Sequence, residues 1–312
     1  MIIRRIRCIA FLLFLCAFLN LIGCSNEGMA QEFPKETSDV TIKESLSEPN
    51  NKSSDEKDDG KEKNFDFNHG SAVTLEGKVI LVSIFTNDSS TKWDYNSDAD
   101  RKTIDSSLIN LKIAANYLSQ QVLRFDKQVS FVYDWETNND LVYYADFDSE
   151  LVRTDGIYYL EQQQWLMDNV DAFHLLEKYD ADNIIFIFFF NTDYTNQVNP
   201  WSLGRANGED IIWEFANFYL KYQDYDMPPA SYAHEIMHAF GAHDLYYANE
   251  FIPQTYVDHL SDTASNDIMF TTSLSTEIIE EFSNLDAYYV GIAPRPKEAD
   301  QWSLSGSEHN PD

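Results

Sequence analysis

Apolar residues along the chain repeat with two different periods. Residues 78–85 (KVILVSIF) form a β-branched apolar run, which predicts a buried strand. Ile104, Leu108, Leu111, Ala115, Leu118, Val122 and Phe125 then recur every three or four residues, as one face of a helix does, with Asp105 near its start. Residues 183–190 (NIIFIFFF) are apolar on both faces, as a central strand covered on both sides requires. Weaker patterns predict a strand over 129–133 and an edge strand over 211–218. Between them, 156–179 carries a helical pattern through Leu160, Trp165, Leu166, Val170 and Phe173. Pro228 and Pro229 suit the opening of a helix, and Ser275 or Thr276 can cap a last one over 276–289. This order predicts an α/β (α+β) fold with a mixed, twisted sheet. One domain is expected over 71–294, with 295–312 as a loose tail.

The first 70 residues follow another pattern. Arg4, Arg5 and Arg7 precede an apolar run over 8–22 broken only by Asn20, short for a membrane span. The run ends Leu21, Ile22, Gly23, Cys24, which resembles the bacterial lipoprotein signal. That resemblance implies a signal peptide over 1–23, a lipid on Cys24 and attachment to the cell envelope; an uncleaved signal anchor is the alternative. Either way the rest of the chain is expected outside the cytoplasm. Residues 24–70 are polar and charged, and the stretch NNKSSDEKDDGKEKN at 50–64 lacks the apolar surface to order itself, so a disordered acidic tether is expected. The cysteines are Cys8, Cys16 and Cys24, which leaves the domain without thiol or disulfide and dependent on its core. With 22 Lys and Arg against 52 Asp and Glu, the net charge is −30, which argues against nucleic acid or anionic headgroups as partners. A monomer is expected.

The candidate chemistry is concentrated in residues 234–244, HEIMHAFGAHD. His234 and His238 are four apart, so on a helix both imidazoles share a face and can hold one metal ion. Glu235 lies beside the first, where a carboxylate can take a proton from an activated water. Gly241 can adopt positive φ and end the helix. The chain can then turn back, so that Asp244 offers a third ligand; His243, one residue earlier, is the alternative. Three protein ligands with an open position make a catalytic site, not a structural one.

The string resembles the metzincin motif HExxHxxGxx(H/D) of zinc peptidases. SNDIMF at 265–270 places Met269 in the register of the metzincin Met-turn. GAHDLYY at 241–247 is similar to the GxxDxY form of immune inhibitor A peptidases, and snapalysin shares the Asp. The resemblance implies zinc on His234, His238 and Asp244, with Glu235 as general base. It also implies two long helices and a sheet above a cleft, and a small C-terminal subdomain after the active-site helix. A peptide or protein substrate would lie extended along an edge strand. The activity implied is that of a membrane-tethered zinc endopeptidase. A catalytically silent zinc-binding lipoprotein is the alternative, as is another zincin type with Glu277 or Glu281 as third ligand. Thr271 stands where some relatives carry a tyrosine; Tyr246 or Tyr247 could replace it or pack against the lower core. His174, His259 and His309 read as structural or exposed, although His259 could line the cleft.

A weaker pattern precedes the long helix. Asp94, Asn96, Asp98, Asp100 and Asp105 stand at positions 1, 3, 5, 7 and 12 of an EF-hand-like calcium loop, but Ala99 replaces its glycine. The competing reading is a solvated loop with Asp105 capping the next helix.

Overall fold

The computed structural model describes residues 71–152, 159–193, 198–203, 213–222 and 225–306. The signal segment, Cys24 and the tether lie outside the described residues. The sheet is built on β1 (Gly77–Asn87) and β4 (Asn183–Phe190), which run parallel with Val79 opposite Asn183 and Thr86 opposite Phe190. β2 (Val129–Val132) and β3 (Val142–Asp146) share the outer edge of β1, beside its first and second halves. On the other side β6 (Phe215–Tyr219) runs parallel to β4, and β5 (Trp201–Leu203) closes the sheet antiparallel to β6. The order is β2-β1-β4-β6-β5, a mixed sheet in a mixed α/β fold.

Period-two alternation divides β4 between two cores. Ile185, Ile187 and Phe189 face one side with Val79, Leu81 and Phe85, where they meet Leu111, Leu118 and Val122 of α1 (Asp98–Val122). Ile184, Phe186, Phe188 and Phe190 face the other side, with Leu166 of α2 (Tyr159–Asn169) and Leu175 and Leu176 of α3 (Ala172–Tyr179). Every residue of β4 is buried, as its doubly apolar sequence demands.

Several expectations are corrected. The predicted edge strand is the interior strand β6, wholly buried, and the edge belongs to the three residues of β5. The helix expected across 156–179 is two, because Asp171 accepts from His174 N at 3.0 Å and caps a new start. Leu160 and Phe173, assigned to its apolar face, are exposed. Helix α1 starts at Asp98, capped by Ser97, so Asp105 is no cap. This also removes the calcium loop. Asp98, Asp100 and Asp105 lie on the helix, Asp98 pairs with Arg101, and Asp100 accepts from Asp94 N and Asn191 Nδ2 at 2.8 Å. A twelve-residue loop cannot close around a cation when its last eight residues are helical.

After a short hairpin, β7 (Lys221–Tyr222) and β8 (Tyr225–Asp226), the chain enters α4 (Pro229–Ala239). Beyond it come α5 (Gln254–Asp262), α6 (Asn284–Tyr289) and α7 (Lys297–Trp302). The expected helix over 276–289 is confined to α6, where Ser283 and Asp286 form a capping box. The expected loose tail contains α7. Ala299 and Leu304 are buried, and Arg295 donates to the Leu304 carbonyl at 2.7 Å. Residues 307–312, with His309, lie outside the described residues.

Candidate metal centre

Helix α4 carries the first half of the centre. Pro229 occupies its first turn, where a missing N–H costs nothing. Every residue of the helix except His238 is buried, which suits its alanine-rich sequence. Tyr232 stacks on Phe218 of β6 with ring centroids 4.4 Å apart and fixes the helix on the sheet. His234 and His238 follow one turn apart, their rings 4.6 Å apart and nearly perpendicular.

The helix ends in a turn that also orients a ligand. Gly241 has φ of 91°, in the left-handed region where a side chain is strained. Gly241 N donates to the His238 carbonyl at 3.0 Å and Ala242 N to the Met237 carbonyl at 3.1 Å, the bonding of a Schellman motif. The reversal returns the Ala242 carbonyl to His238, which donates to it through Nδ1 at 2.7 Å. It also brings Asp244 back under the helix. A second turn completes the frame: Phe270 N and Thr271 N donate to the Asp267 carbonyl, and Met269 N to Asp267 Oδ1 at 2.8 Å. Met269 is fully buried. The turn presents two carbonyls: that of Ile268 accepts from His234 Nδ1 at 2.9 Å, and that of Met269 from Leu245 N at 2.9 Å.

With both Nδ1 atoms donating outward, both Nε2 atoms point inward. They lie 3.0 Å apart, and Asp244 Oδ1 is 3.1 Å from each. Among the described residues, His234, His238 and Asp244 form the group of side chains that could hold a metal ion. Asp244 and the imidazoles are electrostatically coupled. Burial opposes the charge of His238, but Asp244 outweighs it and pushes the imidazole up to about 9. Burial also opposes ionisation of Asp244, yet His238 and His234 hold its carboxyl well below the usual carboxylate range. A metal ion satisfies all three lone pairs at once.

Glu235 is not in this group. It is buried, and desolvation pushes its carboxyl up, against the pull of His238, His234 and Ser202. Ser202 Oγ lies 2.8 Å from both Glu235 Oε2 and the Glu235 carbonyl oxygen. Ser202 belongs to β5, so the edge strand lies against α4 at Glu235. No sequence motif marks it; the contact exists only because β5 folds back antiparallel on β6.

The remaining candidates fall away from the centre. His243 stacks on Phe251 with centroids 4.4 Å apart and rings 6° from parallel, and meets Tyr289 edge-on. Burial pulls it down to about 4, so it is a neutral core residue at pH 7. Glu277 and Glu281 are exposed and outside the metal group, which removes them as third ligands. His259 stacks on Trp302 of α7. Tyr246 and Tyr247 are half exposed and do not pack into the lower core; the Tyr246 ring lies 6.4 Å from that of His234. Comparison with protein-family models finds none that matches the chain, and comparison with curated proteins finds no match.

Proposed function

We propose that this chain is a metzincin-type zinc endopeptidase, tethered outside the cytoplasm through a lipid on Cys24. The observation that carries the reading is the convergence of His234 Nε2, His238 Nε2 and Asp244 Oδ1, with the Glu235 carboxyl beside them but outside the ligand group. Two bonds of about 2.0–2.1 Å at a tetrahedral angle span roughly 3.3 Å, near these separations, and a nitrogen and oxygen donor set suits zinc. A pure binding module has no need of a buried carboxylate next to three ligands.

Zinc, when bound, supplies Lewis acidity that eases deprotonation of water and polarises a carbonyl. The chain's own residues do the rest. The Ala242 and Ile268 carbonyls hold both imidazoles in the tautomer that can ligate. Desolvation raises the proton affinity of Glu235, so its carboxylate is suited to take a proton from the attacking water and return it to the leaving amine. Among the described residues β5 is the last strand on its side of the sheet, and an extended peptide can add to its outer edge, beside Glu235, by backbone hydrogen bonds. That mode of binding favours peptides and proteins as substrates.

The test is zinc content of the purified domain together with cleavage of a mixed peptide library, with and without chelator. Near-stoichiometric zinc and chelator-sensitive cleavage are expected. Zinc without any cleavage would favour a binding lipoprotein instead. For the anchor, Cys24→Ser should abolish acylation and release the protein from the membrane fraction.

A further inference from the structure

We infer that Ser202 is a positioning residue that fixes the orientation of the Glu235 carboxyl. The inference rests on the peptidase reading. The Ser202 hydroxyl has one hydrogen, yet two acceptors on the same residue, Glu235 Oε2 and the Glu235 carbonyl oxygen, each lie 2.8 Å from Oγ. That hydrogen can serve either acceptor, and both belong to Glu235, so the hydroxyl ties β5 to the side chain and the main chain of the same residue.

The need for such a partner follows from burial. Glu235 is 3% exposed, so water offers it little orientation, and a carboxyl free to rotate would spend part of its time aimed away from the substrate. Ser202 is held in its turn by the sheet, where it pairs with Ala216 of β6. A peptide added along β5 would meet the same strand that fixes the base.

The experiment uses zinc-loaded protein and a peptide that the wild type cleaves. Ser202→Ala should lower kcat about tenfold or more, the usual weight of a hydrogen bond to a charged group. KM and zinc content should stay within about twofold of wild type. Ser202→Thr keeps the hydroxyl and should recover kcat to within about threefold. As a readout independent of turnover, a crystal structure of metal-free Ser202→Ala should show the Glu235 carboxyl in more than one orientation. Wild-type kcat in Ser202→Ala, an effect on KM alone, or a Thr variant no better than Ala would each overturn the inference while leaving the peptidase standing. A zinc-loaded wild type that cleaves no peptide would remove the peptidase reading, and this role with it.

Discussion

The Ile268 carbonyl oxygen accepts a hydrogen bond from His234 Nδ1 at 2.9 Å, which joins a turn near the end of the domain to the first residue of the metal motif. The bond fixes which nitrogen of His234 is bare. The same turn sends the Met269 carbonyl to Leu245 N, immediately after Asp244. Two of the three ligands therefore take their orientation from residues 267–270. The Met269 side chain is buried in the apolar core, while the backbone around it makes the polar contacts.

Asp267 holds that turn through its own side chain and carbonyl. Asp267→Ala should loosen both carbonyls and weaken zinc binding about 10- to 100-fold, as loss of a ligand's supporting hydrogen bond does. Competition titration against a chromogenic chelator reads this directly, with thermal unfolding of the metal-free protein as the control for folding. Unchanged affinity in a folded variant would show that the turn is not what orients His234.

Asp244 and His243 are neighbours with opposite fates. Asp244→Ala should remove stoichiometric zinc, because two histidines and water make a poor site. His243→Ala should keep the metal but lose the stack on Phe251 and Tyr289, at a cost of about 1–3 kcal/mol in stability. Zinc titration and chemical denaturation of both variants separate the two roles. Metal lost from His243→Ala and kept by Asp244→Ala would reverse the assignment.

How much of this was legible in the chain depends on whether the partners are near in sequence. His234, Glu235, His238, Gly241 and Asp244 lie within one helix and its exit turn, so spacing alone placed them. β1, α1 and β4 are long enough to show a period. β5 has three residues and β3 five, too few for alternation to stand out, so the apolar pattern points to the stretch of β6 as the edge instead. α5 and α7, of nine and six residues, are held by packing on the rest of the domain more than by a periodic face. The acidic residues from Asp94 to Asp105 suggested a cation loop, whereas Ser97 followed by Asp98 and Asp100 is a helix start, with acids in the first turn. Ser202 could not be found at all, since it meets Glu235 only through strand pairing.

Metal binding should depend on pH with a definite sign. Asp244 pushes His238 up to about 9, so below that pH a proton occupies the lone pair the metal needs. Raising the pH removes the competitor. Apparent zinc affinity should climb about tenfold per pH unit between roughly 7 and 9 and level off above, with about one proton released per metal bound near neutrality. The metal-free domain behaves in the opposite sense. The raised His238 stabilises it fully below the ordinary histidine value of 6.5, and that contribution fades as pH rises through 9. Zinc titrations in several buffers check the first statement, and thermal unfolding with chelator across the same range checks the second. A flat affinity profile from pH 7 to 9 would mean that His238 is not protonated in the metal-free centre.

Glu235→Ala separates holding a metal from using it. The carboxyl lies outside the group formed by His234, His238 and Asp244, so its removal takes away no ligand. Nor does it open the helix cap or the turn, since the bonds that set the ligands run from Ala242 and Ile268. The variant should bind zinc stoichiometrically. Its stability should not fall, because the lost group is a buried carboxylate whose desolvation opposes folding in the charged form. Peptide hydrolysis should fall at least about 100-fold, the usual weight of a positioned general base. The decisive combination is full zinc with lost turnover. A zinc-loaded variant that retains more than about a tenth of wild-type kcat would assign the proton transfer to another group.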